Sequence, residues 1–204
     1  MRAFGAPTRQ GDGGPPPLEG TPSRSIGTKL PCHRPRQTPP IEDPMYKTKN
    51  DLPQQARTQV IELCNARLAD AIDLQTQCKQ AHWNVKGPDF IALHELFDKI
   101  NEDVEEYVDL IAERAVQLGG TADGTARSVA KRSTLPEYAA KGATGSEHVD
   151  ALSSALAAFG KLARQAIDKS TEFKDADTAD VFTEISRGTD KWLWFVEAHL
   201  QAER

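Results

Sequence analysis

Apolar residues recur every three or four positions in four separate runs of this chain. Leu52, Ala56, Val60, Leu63, Cys64, Leu68, Ala71, Ile72 and Cys78 form the first, and Leu93, Phe97, Ile100, Val104, Tyr107, Ile111, Ala115 and Leu118 the second. Val149, Leu152, Leu156, Phe159, Leu162, Ala166 and Ile167 form the third, and Val181, Phe182, Ile185, Trp192, Leu193, Val196 and Leu200 the fourth. A 3.6-residue period puts each set on one face of a helix, and four such faces bury one another in a bundle. Gly87-Pro88 separates the first helix from the second, Gly119-Gly120 stops the second, and a polar link near Lys174–Asp177 divides the third from the fourth. The long 119–146 stretch between helices two and three carries a short helix near Ser128–Arg132. The fold expected is all-α: a four-helix bundle with one long crossover, the ferritin-like arrangement.

Residues 1–44 are of another kind. They hold ten of the 13 prolines and six of the 14 glycines and show no apolar period, so they are expected to be a disordered extension. They also carry six of the 25 basic and four of the 30 acidic groups. A mildly basic extension therefore precedes a body, 45–204, with 19 basic and 26 acidic groups and a net charge of −7. The only methionines are Met1 and Met45, and Met45 stands where the composition changes, so it is an alternative start that would leave the extension outside the native protein. No apolar run is long enough to span a membrane and no secretory leader is visible. Cys32, Cys64 and Cys78 make no disulfide framework; a reducing cytoplasm is the expected setting.

The second helix bears a polar stripe beside its apolar one. His94 and Asp98 are one turn apart, as are Asp109 and Glu113, and all four project within about a third of a turn. His82 precedes the Gly87-Pro88 break. Imidazole with carboxylate suits iron, manganese or zinc and is a poor set for calcium. Asp98 and Asp109 are nevertheless about 16 Å apart along one helix, too far for a single ion. Two antiparallel copies of the helix in a two-fold dimer would bring the His94/Asp98 end of one chain to the Asp109/Glu113 end of the other, completing two identical sites. The bland alternative is a solvated helix face with ordinary one-turn polar pairs.

The run Lys79-Gln80-Ala81-His82-Trp83-Asn84-Val85-Lys86-Gly87-Pro88, continuing through Phe90, Leu93, His94 and Glu95, resembles the Dps family (DNA-binding protein from starved cells), the mini-ferritins. So does Asp109-Leu110-Ile111-Ala112-Glu113-Arg114 with Leu118-Gly119-Gly120, and Thr178-Ala179-Asp180 with Asp190-Lys191-Trp192-Leu193-Trp194-Phe195 looks like the family's last helix. The resemblance covers about 47–201 and not 1–44. It implies that His82, His94 and Asp98 of one subunit, with Asp109 and Glu113 of its two-fold mate, are ferroxidase ligands. It further implies a homo-dodecameric shell that oxidises ferrous iron, preferably with hydrogen peroxide, stores the ferric mineral and protects DNA.

Other residues also invite roles, each beside a plainer one. Trp83 is read first as a packed interface aromatic, with a sink for stray one-electron oxidants as the alternative. Lys79 either competes with a second iron or is a solvated lysine. Arg114 is read as an ion-pair partner rather than a ligand. Glu95, Glu102 and Glu106 either line the mineral cavity or form a solvated face. Asp175, Asp177 and Asp180 fall where the family has a three-fold pore, and acids there would draw in Fe(II). His33, His148 and His199 have no partner at ligand spacing, and Cys64 and Cys78 are expected to be small buried residues. The competing function is a nucleoid-structuring DNA-binding protein with secondary iron chemistry. The acidic body disfavours it, and twelve basic extensions would favour it by multivalency.

Overall fold

The structure is a computed structural model and describes residues 45–139 and 144–201; the expectation for 1–44 lies outside the described residues. These residues form five helices: α1 (Gln54–Asn84), α2 (Phe90–Gln117), α3 (Ala126–Arg132), α4 (Gly145–Glu172) and α5 (Ala176–Glu197). α1 packs mainly on α2 and α4 on α5, and the two hairpins close on each other through α1–α4 and α2–α5. This is the expected four-helix bundle with a long α2–α4 crossover, and α3 within that crossover leans on α1. No helix among the described residues is long and apolar enough to cross a membrane.

The four stripes meet where the period places them. Leu68 and Leu74 of α1, Phe97, Ile100 and Ile111 of α2, Leu152, Leu156 and Phe159 of α4, and Phe182 and Ile185 of α5 are fully buried. Each such side chain contributes about 1.5–3 kcal/mol relative to leaving it exposed. Helix ends follow local chemistry. Pro53 fixes the backbone ahead of α1, and the α1–α2 link turns at Gly87, whose φ of +115° suits glycine. α5 opens on Asp175, whose carboxylate accepts from the Thr178 N–H at 3.1 Å. Gly119, with φ of +90°, ends α2 against the entering chain: Tyr46 N–H donates to its carbonyl at 2.8 Å. A Cβ there would meet the Tyr46 carbonyl at 2.6 Å.

The crossover is tied down by buried polar groups. Asp70 of α1 is fully buried, ion-paired with Arg67 at 2.8 Å, and accepts from Thr134 N–H at 2.7 Å. Asn65 donates to the Thr121 carbonyl and accepts from Asp123 N–H. Backbone groups of Thr121, Asp123, Thr134 and Pro136 in the crossover are thus satisfied by side chains of α1.

Candidate metal centre

His82 lies in the last turn of α1 and His94 in the second turn of α2. The short link between the helices folds these turns against each other, and the two rings stack with centroids 3.7 Å apart. His82 Nδ1 is 2.9 Å from the His94 carbonyl, and His94 Nδ1 is 2.9 Å from the His82 carbonyl. A carbonyl can only accept, so each Nδ1 carries a hydrogen, and each Nε2 takes no part in these bonds. The last carbonyls of a helix lack partners within it, and for His82 this one is supplied by the neighbouring ring. In the neutral form of each ring this geometry selects the tautomer whose Nε2 is open to a metal.

Asp98, one turn beyond His94, is close to this pair, with Oδ1 3.8 Å from His82 Nδ1. Its firm partner is Lys79, whose Nζ donates to Oδ1 at 2.6 Å. That bond above all holds the Asp98 carboxyl below the usual aspartate range, with the neighbouring histidines adding to it. Asp109 and Glu113 project from later turns of α2, both exposed. Among the described residues, no three His, Cys, Asp or Glu side chains of a single chain converge to hold a metal ion. The structure thus brings His82, His94 and Asp98 to one end of α2 and leaves Asp109 and Glu113 apart from them.

Several lesser expectations are refined. Arg114 is an ion-pair residue: it is buried, 2.7 Å from Asp175 Oδ1, and donates through Nε to Thr178 Oγ1 at 2.8 Å. The same contact corrects the reading of Asp175 as a pore acid. Asp175 is 2% exposed, and its carboxylate is consumed by Arg114 and the first turn of α5. Asp177 and Asp180 are exposed. Glu95, Glu102 and Glu106 are exposed as well. Trp83 is 68% exposed in the single chain, next to the His82 pair. Cys64 and Cys78 are buried free thiols, and burial pushes Cys64 up to about 12 and Cys78 higher still. His199 lines a shallow groove with Trp194 and Phe195, whereas His33 lies outside the described residues. His148, unpaired by spacing, has a partner after all in Tyr138.

The body also matches known proteins. Residues 61–204 fit the model of the ferritin-like domain. The chain is 48% identical over 156 residues to the DNA protection during starvation protein of Agrobacterium fabrum, covering 76% of this chain and 96% of that one. A protein of the same name from Mycolicibacterium smegmatis is 34% identical, covering 70% and 78%. Among solved structures, Mycobacterium smegmatis Dps superposes with a TM-score of 0.73 at 31% identity over 76% of this chain and 95% of its own. DpsA14 from Streptomyces coelicolor gives 0.74 at 31% identity over 79% and 95%. With the four helices, the crossover helix and the spaced His–Asp stripe already in place, these matches settle the kinship: the chain belongs to the Dps family of ferritin-like proteins.

Proposed function

We propose that the protein is an iron-oxidising and iron-storing mini-ferritin whose centres are shared between two-fold related subunits. His82, His94 and Asp98 would bind from one subunit, and Asp109 and Glu113 from its mate. The observation that carries the reading is the reciprocal His82–His94 pair, in which each Nδ1 donates to the other's backbone carbonyl and Nε2 stays outside these bonds, with an anionic Asp98 one turn beyond His94. The two unpartnered carboxylates farther along the same helix complete the donor set only across a dimer. An isologous pairing of α2 with its copy supplies that in two equivalent places.

The chemistry follows from the donors. Carboxylate oxygens favour Fe(III) over Fe(II), because the higher charge gains more from anionic ligands, so binding promotes oxidation. Two bound ferrous ions can give one electron each to one hydrogen peroxide, which with two protons becomes two waters. Passing both electrons together avoids releasing hydroxyl radical. Twelve subunits closing into a shell would hold the ferric mineral away from other cell components, in the cytoplasm and near the nucleoid. The names of the relatives favour a DNA-protecting role, and the sequence of 1–44 supplies the basic groups for direct DNA contact. A gel shift in about 150 mM salt comparing the full chain with 45–204 reports on that contact.

Anaerobic Fe(II) loading followed by peroxide tests the main proposal. About one peroxide consumed per two irons, abolished in an Asp109→Ala/Glu113→Ala variant that still assembles, is the expected result. Oxidation no faster than in buffer would refute it and leave DNA binding as the leading function.

A further inference from the structure

Two large apolar side chains of α2 stand in water, in line with its stripe of candidate ligands. Ile91, in the first turn, is 61% exposed, and Val116, in the last, is 54% exposed. They are about seven turns apart, so at about 100° per residue they point within about 20° of each other. Their mean direction is also that of His94, Asp98, Asp109 and Glu113. The remaining apolar stripe of α2 is buried in the bundle. Ile91 is not alone at the histidine end. Phe90 is partly exposed with its ring centroid 5.1 Å from that of His94, and exposed Trp83 follows His82. An apolar rim thus borders the histidine half of the centre, and a single apolar side chain lies one turn beyond Glu113.

We infer that these are the two halves of an apolar seal: Val116 of one subunit closes against Ile91, with Phe90 beside it, of its two-fold mate, once over each shared centre. The inference rests on the shared centre proposed above and adds residues that hold no metal. Position identifies the occupant as a second copy of this chain. A two-fold axis between antiparallel α2 helices exchanges residues that lie equally far on either side of one point. For Asp98 and Asp109 that point falls between residues 103 and 104, and it is the same for His94 and Glu113 and for Ile91 and Val116. The outer pairs are complementary, imidazole facing carboxylate and apolar facing apolar. The innermost pair sets Glu102 opposite Glu105, both exposed in the single chain, and these like charges work against the contact. Attraction therefore has to come from the ends of the stripe, where the exposed apolar residues are.

The seal acts on water. In one chain Asp109 and Glu113 are open to solvent, where attraction between a carboxylate and a cation is weak. An apolar contact one turn beyond His94 and Glu113 removes bulk water from that side of the ions. It strengthens the hold of the carboxylates and closes a path by which a polar solute reaches the metal. Phe90 extends the same surface to the His94 ring.

Cysteine cross-linking of the assembled full-length chain tests the contact. Cys64 and Cys78 are buried, and Cys32→Ser removes the remaining thiol. In that background a short bismaleimide should join Ile91→Cys/Val116→Cys chains into pairs at several-fold the yield of either single variant. Asp98→Cys/Asp109→Cys reports on the shared centre itself. Pairs from the 98/109 variant without pairs from the 91/116 variant would overturn the seal and leave the shared centre standing; no pairs from either would overturn both. Val116→Thr, which keeps the shape and adds a hydroxyl, reads the exclusion of water. Fe(II) bound anaerobically should pass to a water-soluble ferrous chelator several-fold faster from this variant than from wild type, and an equal rate would overturn the sealing role.

Discussion

Lys79 holds the carboxylate that a metal at this centre needs. Its ammonium lies 2.6 Å from Asp98 Oδ1, a charge-assisted bond between two partly exposed groups. An incoming cation therefore competes with an internal one for that oxygen. Replacing Lys79 by Ala frees Asp98, and anaerobic titration should then show tighter binding of a second Fe(II) per centre by about two- to fivefold, the worth of a partly exposed ion pair of roughly 0.5–1 kcal/mol. Unchanged affinity would mean that Lys79 swings away at no cost. The four candidates on α2 are legible in the sequence because their spacing along one helix is a matter of angle and rise, whereas His82 and Lys79, on α1, are picked out by the family resemblance. The stacked histidine pair is not legible, since the link between His82 and His94 closes through tertiary packing. Asp175 is misread for a related reason. The Asp175–Thr178 spacing signals a helix cap, but nothing local announces that Arg114, 61 residues earlier, completes the pair.

At the level of elements, the periodic runs locate every long helix, and glycine and proline locate the breaks. The last turns of α1, around Lys79–Asn84, are harder to read as helix. That helix buries Asp70 and Gln77 among its apolar residues, so its two faces differ little in polarity. The α4–α5 turn contains a residue that sequence alone would not mark. Lys174 has φ of 63°, the left-handed conformation that glycine reaches without steric penalty. Its backbone N–H donates to the Thr171 carbonyl at 3.0 Å, a bond glycine would keep. Lys174→Gly should therefore stabilise the protein by about 0.5–1 kcal/mol, seen as a higher denaturant midpoint. A lower midpoint would show that the lysine side chain contributes more than the strain costs.

For the whole molecule, a shared centre makes a prediction about mixtures. A His82→Ala/His94→Ala subunit has lost its imidazole half and keeps its carboxylates; an Asp109→Ala/Glu113→Ala subunit is the reverse. Each alone should be inactive. In a mixed two-fold dimer one centre receives both defective halves and the other both intact halves. Co-assembly at random should then restore roughly a quarter of the wild-type ferrous oxidation rate, by the symmetry of an isologous interface. Activity staying at the background of the separate variants would place all five ligands' chemistry within single subunits. The spacing along α2 leaves either two half-sites or a centre shared with a second chain, and it does not say which faces would join, because no periodicity specifies a partner's position.

The two histidines of the centre each receive the other's N–H on a backbone carbonyl, so neither ring is oriented independently. Genetically, they behave as one character. Losing either ring strips the other of its stacking partner and loosens the turn whose carbonyl fixes its tautomer. His82→Ala, His94→Ala and the double variant should therefore depress ferrous binding by nearly the same factor, where independent ligands would multiply their losses. A lineage can keep this pair or lose it, but gains little by keeping half.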